Sequence, residues 1–248
     1  MRTYTYMVFA ILSAFLLSLN TIKIFSVDEI SLFLTVIGLI YGLISAFTIN
    51  NAWERFSKIR DAIAEETNSL ITANIFAKKL SDKASAAKIK DKIIDYCMQV
   101  PEIEWRDYWK SEKTHKTFRE IVEIFADIKL KNSKDVELFD DIGEELRDAS
   151  AARNSQLVLS QTRISKIQWI LNIFLSSILI AGLLLTSLPN YPLSIFIIAT
   201  MIAAVLMILV VIYELESMKL AEEEVSNEPY RQVVHIIKSD GFAPISSK

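Results

Sequence analysis

Three stretches of this chain, Thr3–Ile22, Ile30–Trp53 and Ile167–Tyr213, contain no Asp, Glu, Lys or Arg. A water-soluble domain disperses its charges around each helix, so stretches this long call for a second, apolar solvent. Composition agrees only because of where the residues stand. Hydrophobic residues make up 52% of the chain and charged residues 23%, and the charges gather in residues 54–166 and in the C-terminal tail. Roughly 20 apolar residues cross a hydrocarbon core of about 30 Å. Thr3–Ile22 and Ile30–Trp53 each fit one crossing. Ile167–Tyr213 is too long for one and carries Pro189-Asn190-Tyr191-Pro192 near its middle, a helix-breaking turn. The expectation is an all-α membrane protein with four transmembrane helices and a helical domain inserted between the second and third.

Arg2 ahead of the first apolar run raises the possibility of a secretory signal. No small-x-small cleavage site follows, because the run closes on Ser18-Leu19-Asn20-Thr21-Ile22-Lys23, and a retained helix is expected. The turn at Ser187–Pro192 carries no charge, whereas Arg153, Arg163, Lys166, Lys219 and Arg231 flank the opposite ends of the hairpin. The basic side is expected to be cytoplasmic. A cell-membrane, multi-pass protein with both termini and the insertion inside follows from that assignment.

Organisation follows from helical spacing. Trp53, Phe56, Ile59 and Ile63 recur at helical intervals, so the second crossing should run on as one long helix. Ile89, Ile93, Tyr96, Cys97 and Val100 mark one face of a further helix that Pro101 closes. Phe118, Ile121, Val122, Phe125 and Ile128 mark the buried face of the next. Ser133 is expected to cap a helix carrying Phe139, Ile142 and Leu146 that runs on into the third crossing. The division is 1–53 for the first two crossings, 54–166 for the domain continuous with the second and third, 167–213 for the hairpin and 214–248 for a tail frayed at its end.

The second crossing differs from the others. Ser31, Thr35, Gly38, Gly42, Ser45 and Ile49 follow steps of four and three, which places small and weakly polar side chains on one face. Asn50 and Asn51 close that stripe. Several copies around an axis would turn such a face into a wettable conduit. Gly38-x-x-x-Gly42 is equally a motif for close helix packing. The residues alone leave both readings open.

Other functions are excluded more readily. The crossings lack the buried ionisable groups of proton pumps and voltage sensors. No phosphate loop, His-Glu-x-x-His or Gly-x-Ser-x-Gly occurs, and His115 and His235 lie far apart, so no enzyme, cofactor or metal is expected. Both signs of charge mix in the insertion and the formal net charge is −3, which argues against nucleic acid. Cys97, the single cysteine, reads as a small core residue.

Asn50-Asn51-Ala52-Trp53-Glu54-Arg55, leading to Glu65-Glu66, resembles the prokaryotic bestrophin-like membrane family. So does Tyr96-Cys97-Met98-Gln99-Val100-Pro101-Glu102-Ile103-Glu104-Trp105. Further points of resemblance are Arg153 and Leu157 ahead of Trp169, and Val225-Ser226-Asn227-Glu228-Pro229-Tyr230. The chain departs from that pattern at Gln156, where the family tends to carry a second Arg.

The resemblance implies structural roles for Trp53, Arg55, Glu65, Glu104, Trp105, Arg153, Trp169, Pro229 and Tyr230. It also implies kinship with the bestrophins, pentameric ion channels whose second crossing lines the pore. The reading that follows is a homo-oligomeric channel in a lipid bilayer that passes inorganic ions. The alternative is a non-conducting scaffold or sensor whose inserted domain binds a protein.

Overall fold

The computed structural model describes residues 13, 25–103, 110–187, 191–217 and 228–239. The expected first crossing, Thr3–Ile22, lies outside the described residues apart from Ser13, as do Glu104 and Trp105. Among the described residues, three helices are long and apolar enough to cross a membrane, Ile30–Ala77, Lys166–Leu185 and Leu193–Ser217.

The chain divides into two compact units, one formed by Met1–Glu54 with Arg163–Ser217 and the other by Arg55–Thr162 with Met218–Lys248. The first unit holds β1 (Phe25–Ser26), the opening half of α1 (Val27–Ala77), α5 (Lys166–Leu185), β2 (Thr186–Ser187) and α6 (Tyr191–Ser217). The second unit holds the remainder of α1, then α2 (Lys83–Gln99), α3 (Glu112–Ala126), α4 (Ser133–Gln161) and α7 (Glu228–Ser239).

At 51 residues, α1 extends about 75 Å at the usual helical rise, more than twice a hydrocarbon core. Its uncharged part ends at Trp53, and from Glu54 onward charged residues recur. Two threonine hydroxyls inside it return to the helix's own backbone: Thr35 Oγ1 donates to the Ser31 carbonyl at 2.8 Å and Thr48 Oγ1 to that of Ile44 at 2.8 Å. Such bonds satisfy a hydroxyl where water is scarce.

Within the first unit, Phe25 pairs with Thr186 and Ser26 with Ser187 in a two-residue parallel ladder. Around this two-residue ladder the described residues are helical, as expected; its strands are too short to show alternation. It sets the start of α1 beside the end of α5, so the two helices run antiparallel. One apolar cluster of this unit joins Tyr41, Leu175, Leu179 and Val205.

The second unit has its own core. Ile89, Ile93, Tyr96, Cys97 and Val100 are all buried, as their spacing predicts, together with Ile59, Ile63, Leu70, Ile121, Ile142 and Leu146. Three details differ from expectation. Val122 is exposed, whereas Ile128 is buried as expected although it lies beyond the end of α3. Asn132, rather than Ser133, caps α4, its side-chain oxygen accepting from Asp135 N at 2.8 Å. The expected continuity of α4 into the third crossing also fails: α4 stops at Gln161 and α5 starts at Lys166 behind a capping box formed by Ser165 and Gln168. That reciprocal cap satisfies backbone donors at a fresh helix start, which makes the break favourable.

Candidate functional site

In the first unit the small-residue stripe divides between two environments. Ser45 is buried and donates to Asn172 Oδ1 at 2.8 Å, while Asn172 Nδ2 donates to Thr48 Oγ1 at 3.1 Å and to the Gln168 carbonyl at 2.8 Å. Asn172 is fully buried, so this cluster ties α1 to α5 by polar bonds that have no water to compete with them. Ser31, Thr35, Gly42, Asn50 and Asn51 are exposed, and Gly38 and Ile49 are half-buried. Trp53 is exposed as well, and Trp169 donates from Nε1 to Glu216 Oε2 at 2.7 Å.

The glycines separate packing from other roles. A Cβ at Gly182 would stand 2.5 Å from Leu34 Cδ2, so glycine there admits a close approach of α1 and α5. At Gly38 it would meet Leu179 Cδ2 at 3.9 Å, an ordinary contact, and at Gly42 it would meet nothing within 4 Å. Among the described residues, the Gly38-x-x-x-Gly42 motif therefore brings no helix unusually close.

In the second unit a buried polar cluster gathers on Glu66 of α1. Tyr96 Oη donates to Glu66 Oε1 at 2.5 Å, Tyr230 Oη to Oε2 at 2.6 Å and Gln156 Nε2 to Oε2 at 2.7 Å. Gln156 Nε2 also reaches the Ala62 carbonyl at 3.2 Å. Arg153 Nη1 donates to Tyr96 Oη, making a relay from guanidinium through phenol to carboxylate. Its guanidinium carbon lies 5.1 Å from the Tyr96 ring centroid and 5.3 Å from that of Phe118, close enough for cation–π attraction. Four helices, α1, α2, α4 and α7, meet at this carboxylate.

Burial pushes the Glu66 carboxyl above its usual range, outweighing the donors Tyr230 and Tyr96, the charge of Arg153 and the Gln156 amide, all of which favour ionisation. Burial likewise pushes the Cys97 thiol well up, and the Glu66 charge adds to it. The thiol is thereby kept in its unreactive form.

The motif residues Arg153 and Tyr230 converge on this cluster. Pro229 sits at the start of α7, and Arg55 is buried. Glu65 is exposed and takes no part; its neighbour Glu66 is the buried acid. Gln156, at the position where the resemblance would place an Arg, supplies a neutral donor.

A bestrophin-like domain model matches residues 26–228. The chain belongs to the bestrophin-like family. Family membership and the three apolar helices together mark a channel-type membrane protein. No curated protein and no solved structure matches the chain.

Proposed function

We propose that this bestrophin-like chain assembles as a homo-oligomeric ion channel, with α1 of each copy lining the conduit. The observation that carries the reading is the open flank of α1. Ser31, Thr35 and Gly42 are exposed within the protomer, and Gly42 meets no described side chain. Small side chains left uncovered on an otherwise bulky helix suit a wettable path more than a lipid-facing surface. Gly38 and Ser45 sit at the edge of that flank, turned toward α5, where Ser45 bonds to Asn172. Ile49 continues the line, and Asn50 and Asn51, about 100° and 200° further around the helix, stand at the inner mouth.

In this reading both termini and the second unit are cytoplasmic, in the cell membrane, and five copies form the ring by analogy with the bestrophins. The flank carries no charge, so it favours neither sign of ion. Cryo-electron microscopy of the detergent-purified full chain tests the arrangement. A ring with Thr35 and Gly42 toward its axis is expected; a ring with α1 on the lipid side overturns it. The competing reading, a non-conducting scaffold or sensor, draws on the separate core and open cleft of the second unit. Liposomes that pass no ions despite an intact ring favour that reading.

A further inference from the structure

The geometry points to a binding site for a small organic anion, a carboxylate on an apolar body, in a cleft of the second unit between α3 and α4. The cleft encloses about 760 Å³ and is lined by Arg119, Arg147, Arg153 and Asn154 together with Phe118 and Phe125. Small-molecule sites commonly enclose 300–1,000 Å³. Three guanidiniums line it and, among the described residues, no carboxylate does, although the chain as a whole is acidic.

The charges differ in depth. Arg153 is only 4% exposed and forms the floor. Its Nη2 lies 3.3 Å from Thr114 Oγ1 and 3.3 Å from His115 Nδ1. Arg119 and Arg147 stand at the opening and are exposed, so their forks can reach a carboxylate in two-pronged fashion. Arg147 does touch Glu144 at 3.2 Å and Asp148 at 3.7 Å, but its side chain is 70% exposed, and such surface pairs exchange readily.

The other wall is apolar. Val122 is 40% exposed and faces the cleft with Phe118 and Phe125. Gly143 lets the Phe125 ring come to 3.2 Å from where a Cβ would stand, and that ring stacks on Phe139 with centroids 4.3 Å apart. An inorganic ion would have no use for this wall, whereas an aryl or alkyl body would cover it. Arg153 also belongs to the Glu66 relay, so an occupant would act on the charge that reaches Glu66 through Tyr96.

Isothermal titration of the detergent-purified full chain with benzoate, benzyl alcohol and sulfate tests the site. Benzoate is expected to bind saturably, benzyl alcohol not to bind, and sulfate to bind at least tenfold more weakly than benzoate. The surface substitutions Arg147→Gln and Val122→Asp should each weaken benzoate tenfold or more while leaving thermal unfolding unchanged. Absence of benzoate binding, or equal binding in both variants, overturns the site. Sulfate binding as tight as benzoate, with the same dependence on Arg147, overturns the organic class of ligand. None of these outcomes depends on whether the assembly conducts.

Discussion

The phenol oxygen of Tyr230 lies 2.6 Å from Glu66 Oε2, joining residues 164 positions apart in the chain. Glu66 sits on α1, and Tyr230 is the third residue of α7, so one hydrogen bond fixes the tail helix to the long helix. A bond to a charged acceptor contributes about 1.5–3 kcal/mol, and a buried acceptor left bare costs a similar amount. Tyr230→Phe is therefore expected to lower the unfolding temperature of the purified protein and to speed protease cleavage around α7. Cleavage at the native rate would mean that apolar contacts of Val233 and Ile237 hold α7 without this bond.

Glu66 should make stability depend on pH. Tyr96, Tyr230 and Gln156 all donate to Glu66, so a proton on the carboxyl has to displace one of them. Tyr230 has an alternative, since its hydroxyl lies 3.2 Å from Gln156 Oε1. It can turn to Gln156 and accept from the protonated acid. The folded-state pKa is raised, so the associated stability is present below the unfolded value of about 4.3 and is lost as pH rises through the folded value. Glu66→Gln, which mimics the protonated acid, should flatten that part of the stability-against-pH curve. Superimposable curves for the two proteins would contradict the raised pKa.

Asn172 is expected to act as the clasp between α1 and α5. Asn172→Leu strands the Ser45 hydroxyl in a buried site and should cost about 1–3 kcal/mol. Replacing Ser45 by Ala in the same protein removes the stranded group and should recover part of that loss. A double-mutant cycle on unfolding in mixed micelles measures the coupling, and strict additivity would show that the two side chains do not act together.

The glycines of the first unit should respond differently to Ala. Gly42→Ala fills open space and gains up to about 1 kcal/mol of helix propensity, so folding stability should hold or rise. Gly182→Ala forces Leu34 aside and should lower it, modestly because the displaced atom ends a flexible side chain. Thermal unfolding of both variants checks the contrast; equal effects would remove the distinction between the packed and the open glycine.

Much of this architecture was legible because helix faces are periodic. Ile89 through Val100 gave a buried face without error, and the run from Trp53 to Ile63 announced the length of α1. What remained hidden depends on tertiary partners. Glu65 and Glu66 are adjacent acids, and only the positions of Tyr96, Tyr230 and Gln156 distinguish the exposed one from the buried one. Val122 fits the apolar spacing of α3, yet the cleft leaves it uncovered. The break between α4 and α5 rests on a four-residue cap that apolar periodicity does not register. Gly38 and Gly42 match a packing motif, and only the distances to neighbouring atoms reveal that neither is compressed. The role of the stripe accordingly stayed open in the sequence.

Conduction along α1 is the central claim, and thiol accessibility reaches it most directly. Cys97 is buried and its thiol is held unreactive, so a cysteine placed at Thr35 or Gly42 can be modified selectively in the full-length protein. With Thr35→Cys or Gly42→Cys channels in a planar bilayer, a charged methanethiosulfonate reagent should react and change the current at least severalfold. The wild type and a Phe33→Cys control, half a turn around the helix from Gly42 and itself exposed, should not change. Modified Thr35→Cys and Gly42→Cys protein with unaltered current would contradict a conduit lined by α1.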